Sequence, residues 1–140
     1  MIRDSQERPH ERLDVWRDAM ALVEAVYRFT SAFPDSERFG LTAQMRRAAI
    51  SIPSNIAEGA ARRSTADYLR FLSIARGSLS ELDTQLQLAI RLRFCEAEAP
   101  TWELLDRTFS RLNALIRALE GPRNIREPET AYESPITIPE

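Results

Sequence analysis

Leu13, Trp16, Met20, Val23, Tyr27 and Thr30 recur at a 3-4-3-4-3 spacing, and Val15, Ala19, Leu22, Val26, Phe29 and Phe33 run beside them with the same alternation. That period belongs to an amphipathic α-helix, and it predicts one from about Glu11 to Ala32. The two series together make an apolar face wider than the core of a small bundle requires. Either the helix is deeply buried in its own protomer, or a second subunit covers part of it. A chain of 140 residues is the size of one domain, and a bundle so small does not enclose a helix on all sides. Val15, Ala19, Leu22 and Val26 are therefore expected at a contact between copies of the chain.

Three further segments repeat the helical pattern. Leu41, Met45, Ala48, Ile52 and Ile56 form the seam of a second helix that starts near Leu41 or Thr42. Pro53 falls inside it, removing a backbone donor and crowding the preceding turn, so a kink there, or a break and restart at Ser54 or Asn55, is expected. Ser64-Thr65-Ala66-Asp67 resembles a capping box with Asp in place of Glu. It opens a third helix from about Thr65 to Arg93, with Tyr68, Leu72, Ala75, Leu79, Leu82, Leu86 and Ala89 as its seam. Gly77 and Ser78 sit mid-helix, where glycine is unfavourable, and read as a tight crossing point. Pro100 suits the first turn of a fourth helix, Trp102, Leu105, Phe109, Leu112, Ile116 and Leu119 define its face, and Gly121-Pro122 ends it. Four amphipathic helices with short connections imply an all-α, antiparallel up-down four-helix bundle over 11–121. Residues 1–10 read as a loose lead-in, and 122–140, with Pro122, Pro128, Pro135 and Pro139, as a flexible tail.

Composition agrees with helix: only four glycines are present, and the 44% hydrophobic fraction is mostly Leu and Ala. No apolar run is long enough to cross a membrane. The charged start Met1-Ile2-Arg3-Asp4-Ser5-Gln6-Glu7 lacks the apolar core of a signal peptide, and Cys95 is the single cysteine. A cytoplasmic setting is expected.

Signatures of catalysis are missing. The one histidine, His10, lies in the lead-in, so no helix offers the Glu-x-x-His pairs of a di-metal site. There is no zinc cluster, Gly-x-Ser-x-Gly elbow, phosphate-binding loop or dinucleotide fingerprint. No enzyme activity, metal or cofactor is expected. A polar stripe remains: Arg47, Ser51, Asn55 and Glu58 are spaced 4-4-3 on one face of the second helix, and Arg76, Ser78 and Glu81 lie close together on the third. In an antiparallel pair, Arg47 or Arg76 would meet Glu81 or Glu58 in an ionic network that sets helix register or a subunit contact. An active site built on Glu58, Glu81 and Asn55 would need a substrate pocket that the sequence does not reveal.

Charge is segregated. All 19 basic residues are arginine, and the net charge is -2. Between Arg38 and Arg76, seven arginines face only Glu58 and Asp67, a balance of +5 that leaves -7 elsewhere. Such a field attracts a polyanion. Arg46, Arg47, Arg62, Arg63 and Arg70 are the candidates for RNA or DNA phosphate, which guanidinium groups bind bidentately. Without interleaved aromatic residues, the same five also read as a solvated helix end paired with Asp67 or Glu58.

The run Leu41-Thr42-Ala43-Gln44-Met45-Arg46-Arg47-Ala48-Ala49-Ile50-Ser51-Ile52-Pro53-Ser54-Asn55-Ile56-Ala57-Glu58-Gly59 resembles the bacterial four-helix bundle family named for the 23S rRNA intervening-sequence protein. Leu13-Asp14-Val15-Trp16, Phe33-Pro34, Gly40-Leu41, Phe71-Leu72, Ala75-Arg76-Gly77-Ser78 and Glu81-Leu82 continue the likeness over about 13–94; the fourth helix matches only in character. The resemblance implies a homopentameric ring or barrel, in a family with no established enzymatic activity whose members are encoded within intervening sequences of rRNA genes. The accessory variability determinant of diversity-generating retroelements shares the fold and binds a reverse transcriptase and nucleic acid, so both partner types are implied. That protein is basic, whereas this chain is mildly acidic; here nucleic-acid binding would rest on the Arg38–Arg76 segment alone. The expected function is a homo-oligomeric scaffold that binds nucleic acid, with a protein–protein adaptor ring as the alternative.

Overall fold

The computed structural model describes residues 7–96 and 98–122. Among these residues there are four α-helices and no strand: α1 (Asp14–Thr30), α2 (Leu41–Ala60), α3 (Thr65–Arg91) and α4 (Ala99–Glu120). Single turns of 3-10 helix cover Pro9–Arg12 and Asp35–Glu37. The first helix starts later than its periodicity predicts because Leu13 is extended, at φ -83° and ψ 124°, which separates the Pro9–Arg12 turn from α1. Most of the expected lead-in, residues 1–6, and nearly all of the expected tail, 123–140, lie outside the described residues.

Each helix packs on the next, and α1 also closes on α4, while the diagonal pairs do not meet. Neighbours run antiparallel. Arg46 of α2 bonds Thr30 at the end of α1, Ser51 bonds Ser78, Arg76 bonds Asn113, and Arg111 reaches back to Asp18. The core between them holds Leu22 and Val26 from α1, Met45, Ile52 and Ile56 from α2, Leu72, Leu79 and Leu82 from α3, and Leu105 and Leu112 from α4, all almost wholly buried.

The two apolar series of α1 take places opposite to those their spacing suggested. Val15, Ala19, Leu22 and Val26 were expected at a contact between copies; all four are buried in the protomer's own core. In the companion series, Trp16 and Val23 are half-buried, and Met20 and Tyr27 are 42% and 41% exposed. Periodicity gives the width of an apolar face but not its centre. Here side-chain size sets the centre: small Ala19 and Ala25 let neighbouring helices approach, while Trp16 and Tyr27 are bulky and amphipathic and suit a rim. Thr30, the polar end of the exposed series, is buried with its hydroxyl donating to the Val26 carbonyl at 2.6 Å.

α2 runs unbroken through Pro53, which is buried within it. Gly77 does not mark a close approach of a neighbouring helix: an added Cβ there would meet nothing within 4 Å. Gly59 does: a Cβ there would lie 3.0 Å from Phe71 Cβ and 3.2 Å from the Tyr68 carbonyl oxygen. Because these are backbone-near atoms of α3, they cannot swing aside. The α2–α3 turn is further held by Ser64, whose Oγ accepts the Asp67 backbone N–H at 3.1 Å. This is the helix cap expected from the sequence. Gly121 ends α4 with φ 74°, a left-handed value that favours glycine.

Among the described residues, Asp18 is the one buried carboxylate. Its Oδ2 accepts from Arg111 at 2.8 Å and its Oδ1 from Arg107 at 3.3 Å. The two arginines are one helical turn apart on α4 and each is about half exposed. Asp18→Ala is expected to lower unfolding stability by about 2 kcal/mol, the usual worth of hydrogen bonds to a charged group; a change below ~0.5 kcal/mol in a denaturant titration contradicts a structural role for the clamp. The two glycines separate by sign. Gly59→Ala is expected to cost about 1–3 kcal/mol through overpacking, and Gly77→Ala to stabilise by ~0.8 kcal/mol through helix propensity. Thermal unfolding of both variants checks the crossing point.

Candidate functional site

The five candidate arginines do not form one patch. Arg62, Arg63 and Arg70 converge on the α2–α3 turn. Arg62 donates to Glu58 at 2.8 Å and its guanidinium lies over the Phe71 ring, 4.7 Å from the centroid. Arg70 covers the same ring at 4.6 Å and approaches Asp67 at 3.8 Å. Arg63 is exposed and has no ion pair among the described residues. Arg46 and Arg47 sit near the other end of α2, about 20 Å away at the ~1.5 Å rise of an α-helix. Arg46 is engaged in the α1–α2 packing: its Nε donates to Thr30 Oγ1 at 2.9 Å, and it stacks on Tyr27 at 4.4 Å. Arg47 is exposed on the flank of α2 facing α3. Aromatic rings that sequence spacing did not associate with the arginines therefore lie beneath three of them. The adjacency of Arg70 and Phe71 was the one sequence signal for this; Tyr27 and Arg46 are brought together only by the α1–α2 packing.

The polar stripe assembles in part. Ser51 and Ser78 share a hydrogen bond of 2.8 Å across the α2–α3 interface. The Asn55 side-chain amide donates to the Ser51 carbonyl at 2.8 Å and to Ser51 Oγ at 2.9 Å. Arg47 and Glu81 flank the same cleft, of about 240 Å³, together with Gln44. The expected ionic closure does not occur. Glu58 turns to Arg62, Arg76 donates to Asn113 on α4 at 3.1 Å, and Glu81 accepts only from Gln85, at 3.4 Å, among the described residues. Helix rotation explains this: Glu58 lies one turn before Arg62 on the outer side of α2, and Arg76 faces α4 rather than α2.

An open apolar groove of about 400 Å³ runs between α1 and α2, lined by Trp16, Met20, Val23, Ile50, Pro53 and Ala57. His10 closes one end, packed edge-on against Trp16 with 4.9 Å between centroids. Ile74 and Leu88 on α3, and Leu92 just after it, are also individually exposed. At the opposite end of the bundle a cleft of about 500 Å³ is bordered by Arg28, Phe94, Cys95 and Glu98. Burial, and then the nearby Glu98 charge, push the Cys95 thiol above its ordinary pKa. Both effects keep it protonated, which is the reverse of what a nucleophile needs. Among the described residues no three His, Cys, Asp or Glu side chains are placed to hold a metal ion, and no helix is long and apolar enough to cross a membrane.

A family described as 23S rRNA-intervening sequence protein matches residues 11–117. Among solved structures, the fold is similar to that of a protein of unknown function from the S23 ribosomal protein family of Bacteroides thetaiotaomicron. The TM-score is 0.61 at 21% identity, over 77% of this chain and 99% of the other. No curated protein matches the sequence. The family match spans α1 to α4, so the chain belongs to the 23S rRNA-intervening sequence protein family.

Proposed function

For this member of the 23S rRNA-intervening sequence protein family, we propose a non-catalytic role: a homo-oligomeric helical scaffold, pentameric by resemblance, that binds RNA or DNA through arginines of α2 and α3. The observation that carries the nucleic-acid reading is the convergence of Arg62, Arg63 and Arg70 on one turn at the end of the bundle. Phe71 holds two of these guanidinium groups in place, so less side-chain freedom is lost when they meet phosphate. Copies arranged in a ring would repeat this turn, and weak contacts would add through avidity. Self-assembly is supported by the open apolar α1–α2 groove, with Ile74, Leu88 and Leu92 as further exposed apolar side chains elsewhere on the protomer. In a head-to-tail ring the groove would meet a different surface of the next copy.

The pairing of Arg62 with Glu58 and of Arg70 with Asp67 favours a second reading. These carboxylates neutralise part of the cluster, which suits an adaptor whose ring holds a protein partner. Fluorescence anisotropy of the full chain with labelled single-stranded RNA and DNA, across a salt series, separates the two. The scaffold reading expects binding that weakens steeply with salt and falls at least tenfold for Arg62→Glu/Arg63→Glu. Binding that is absent at low salt, or indifferent to the double substitution, overturns the assignment of these arginines.

A further inference from the structure

The cleft between α2 and α3 holds two opposite charges that face a common space without meeting. Arg47 is exposed and makes no ion pair among the described residues, and Glu81 has one long hydrogen bond from Gln85. About one helical turn along the same cleft lies the Ser51–Ser78 hydroxyl pair, whose geometry Asn55 secures by donating to both the carbonyl and the hydroxyl of Ser51. We infer that this cleft is a binding site for a small zwitterion carrying a carboxylate and an ammonium group, of the size and chemistry of a free α-amino acid.

The charges select this class by repulsion as well as attraction. A simple anion drawn to Arg47 is repelled by Glu81, and a simple cation drawn to Glu81 is repelled by Arg47. Only a ligand with both signs gains at both ends, so discrimination comes from the unfavourable half of each competitor's interaction. The carboxylate would take the guanidinium fork, the ammonium group would donate to the Glu81 carboxylate, and the serine hydroxyls and Gln44 amide can each act as donor or acceptor toward the ligand. The cleft, of about 240 Å³, has room for a ligand the size of an amino acid. The site is distinct from the Arg62–Arg63–Arg70 turn and from the apolar groove, so it stands whether or not nucleic acid binds.

The test is a titration of the ¹⁵N-labelled full chain with each proteinogenic amino acid, using propionate and ethylammonium as single-charge controls, followed by amide shifts. Saturable shifts centred on Ser51, Ser78 and Glu81 are expected with at least one amino acid, at an affinity at least tenfold above either control. Arg47→Gln and Glu81→Gln should each weaken that binding at least tenfold while leaving the helical signal and melting temperature of the protein unchanged. Three results overturn the inference. One is no saturable shift with any amino acid. The second is an equal response to propionate, which marks an anion site of Arg47 alone. The third is substitutions that lower the melting temperature without altering any ligand response, which marks a solvent-bridged structural pair.

Discussion

The rotation of α1 about its own axis governs which surfaces this bundle buries and which it leaves exposed. With Val15, Ala19, Leu22 and Val26 turned inward, the Asp18 side of the helix faces α4, and Trp16, Met20, Val23 and Tyr27 are carried toward α2 and the solvent. The Asp18 clamp to Arg107 and Arg111 opposes rotation in either direction, because turning Asp18 outward breaks both bonds and turning it further inward buries a carboxylate without its partners. On the other side Arg46 performs the matching role, joined to Thr30 and stacked on Tyr27. Two polar attachments on opposite flanks thus orient a helix whose apolar surface alone would permit more than one packing.

Fixing α1 in this way has a direct consequence for α2. The α1–α2 seam stays apolar at its outer edge, where Ile50, Pro53 and Ala57 meet Trp16, Met20 and Val23. The α2–α3 seam is polar at its outer edge, with Arg47, Ser51, Ser78 and Glu81, and tight at its far end around Gly59. One helix therefore presents two chemically opposite grooves on its two flanks. Gly59 lets α3 approach α2 closely at Tyr68 and Phe71, about two turns from the Ser51–Ser78 contact. The same close contact places Phe71 at the turn, beneath Arg62 and Arg70.

Much of this was legible in the sequence. The four helices, the Ser64 cap, the Gly121 stop and the seams of α2, α3 and α4 follow from hydrophobic period and end signals, which are local properties. The inward face of α1 was not, because two parallel apolar series of equal length carry no information on which is central. Gly77 was read as the crossing point from its mid-helix position, yet glycine's role depends on what lies opposite, and of the two it is Gly59 that has the backbone of a neighbouring helix against it. The Arg set was found as residues but not as a site. Charge counting along the chain cannot see that some 20 Å separates Arg47 from Arg62, or that Arg46 is drawn into α1. Asp18 gave a faint signal, a carboxylate between the apolar positions Val15, Ala19 and Leu22, but its partners lie on a helix at the other end of the chain.

The exposed half of α1 is the surface on which the proposed assembly rests. Met20, Tyr27 and Ile50 are each more than 40% exposed, alongside a groove that no segment among the described residues fills. Sedimentation velocity or native mass measurement of the full chain at micromolar concentration, beside Met20→Asp/Ile50→Asp, tests that link most directly. The unsubstituted chain is expected as a closed species at five times the 16.0 kDa protomer mass, and the double variant as a folded protomer. A helical, stable protomer for the unsubstituted chain at every concentration contradicts the assembly.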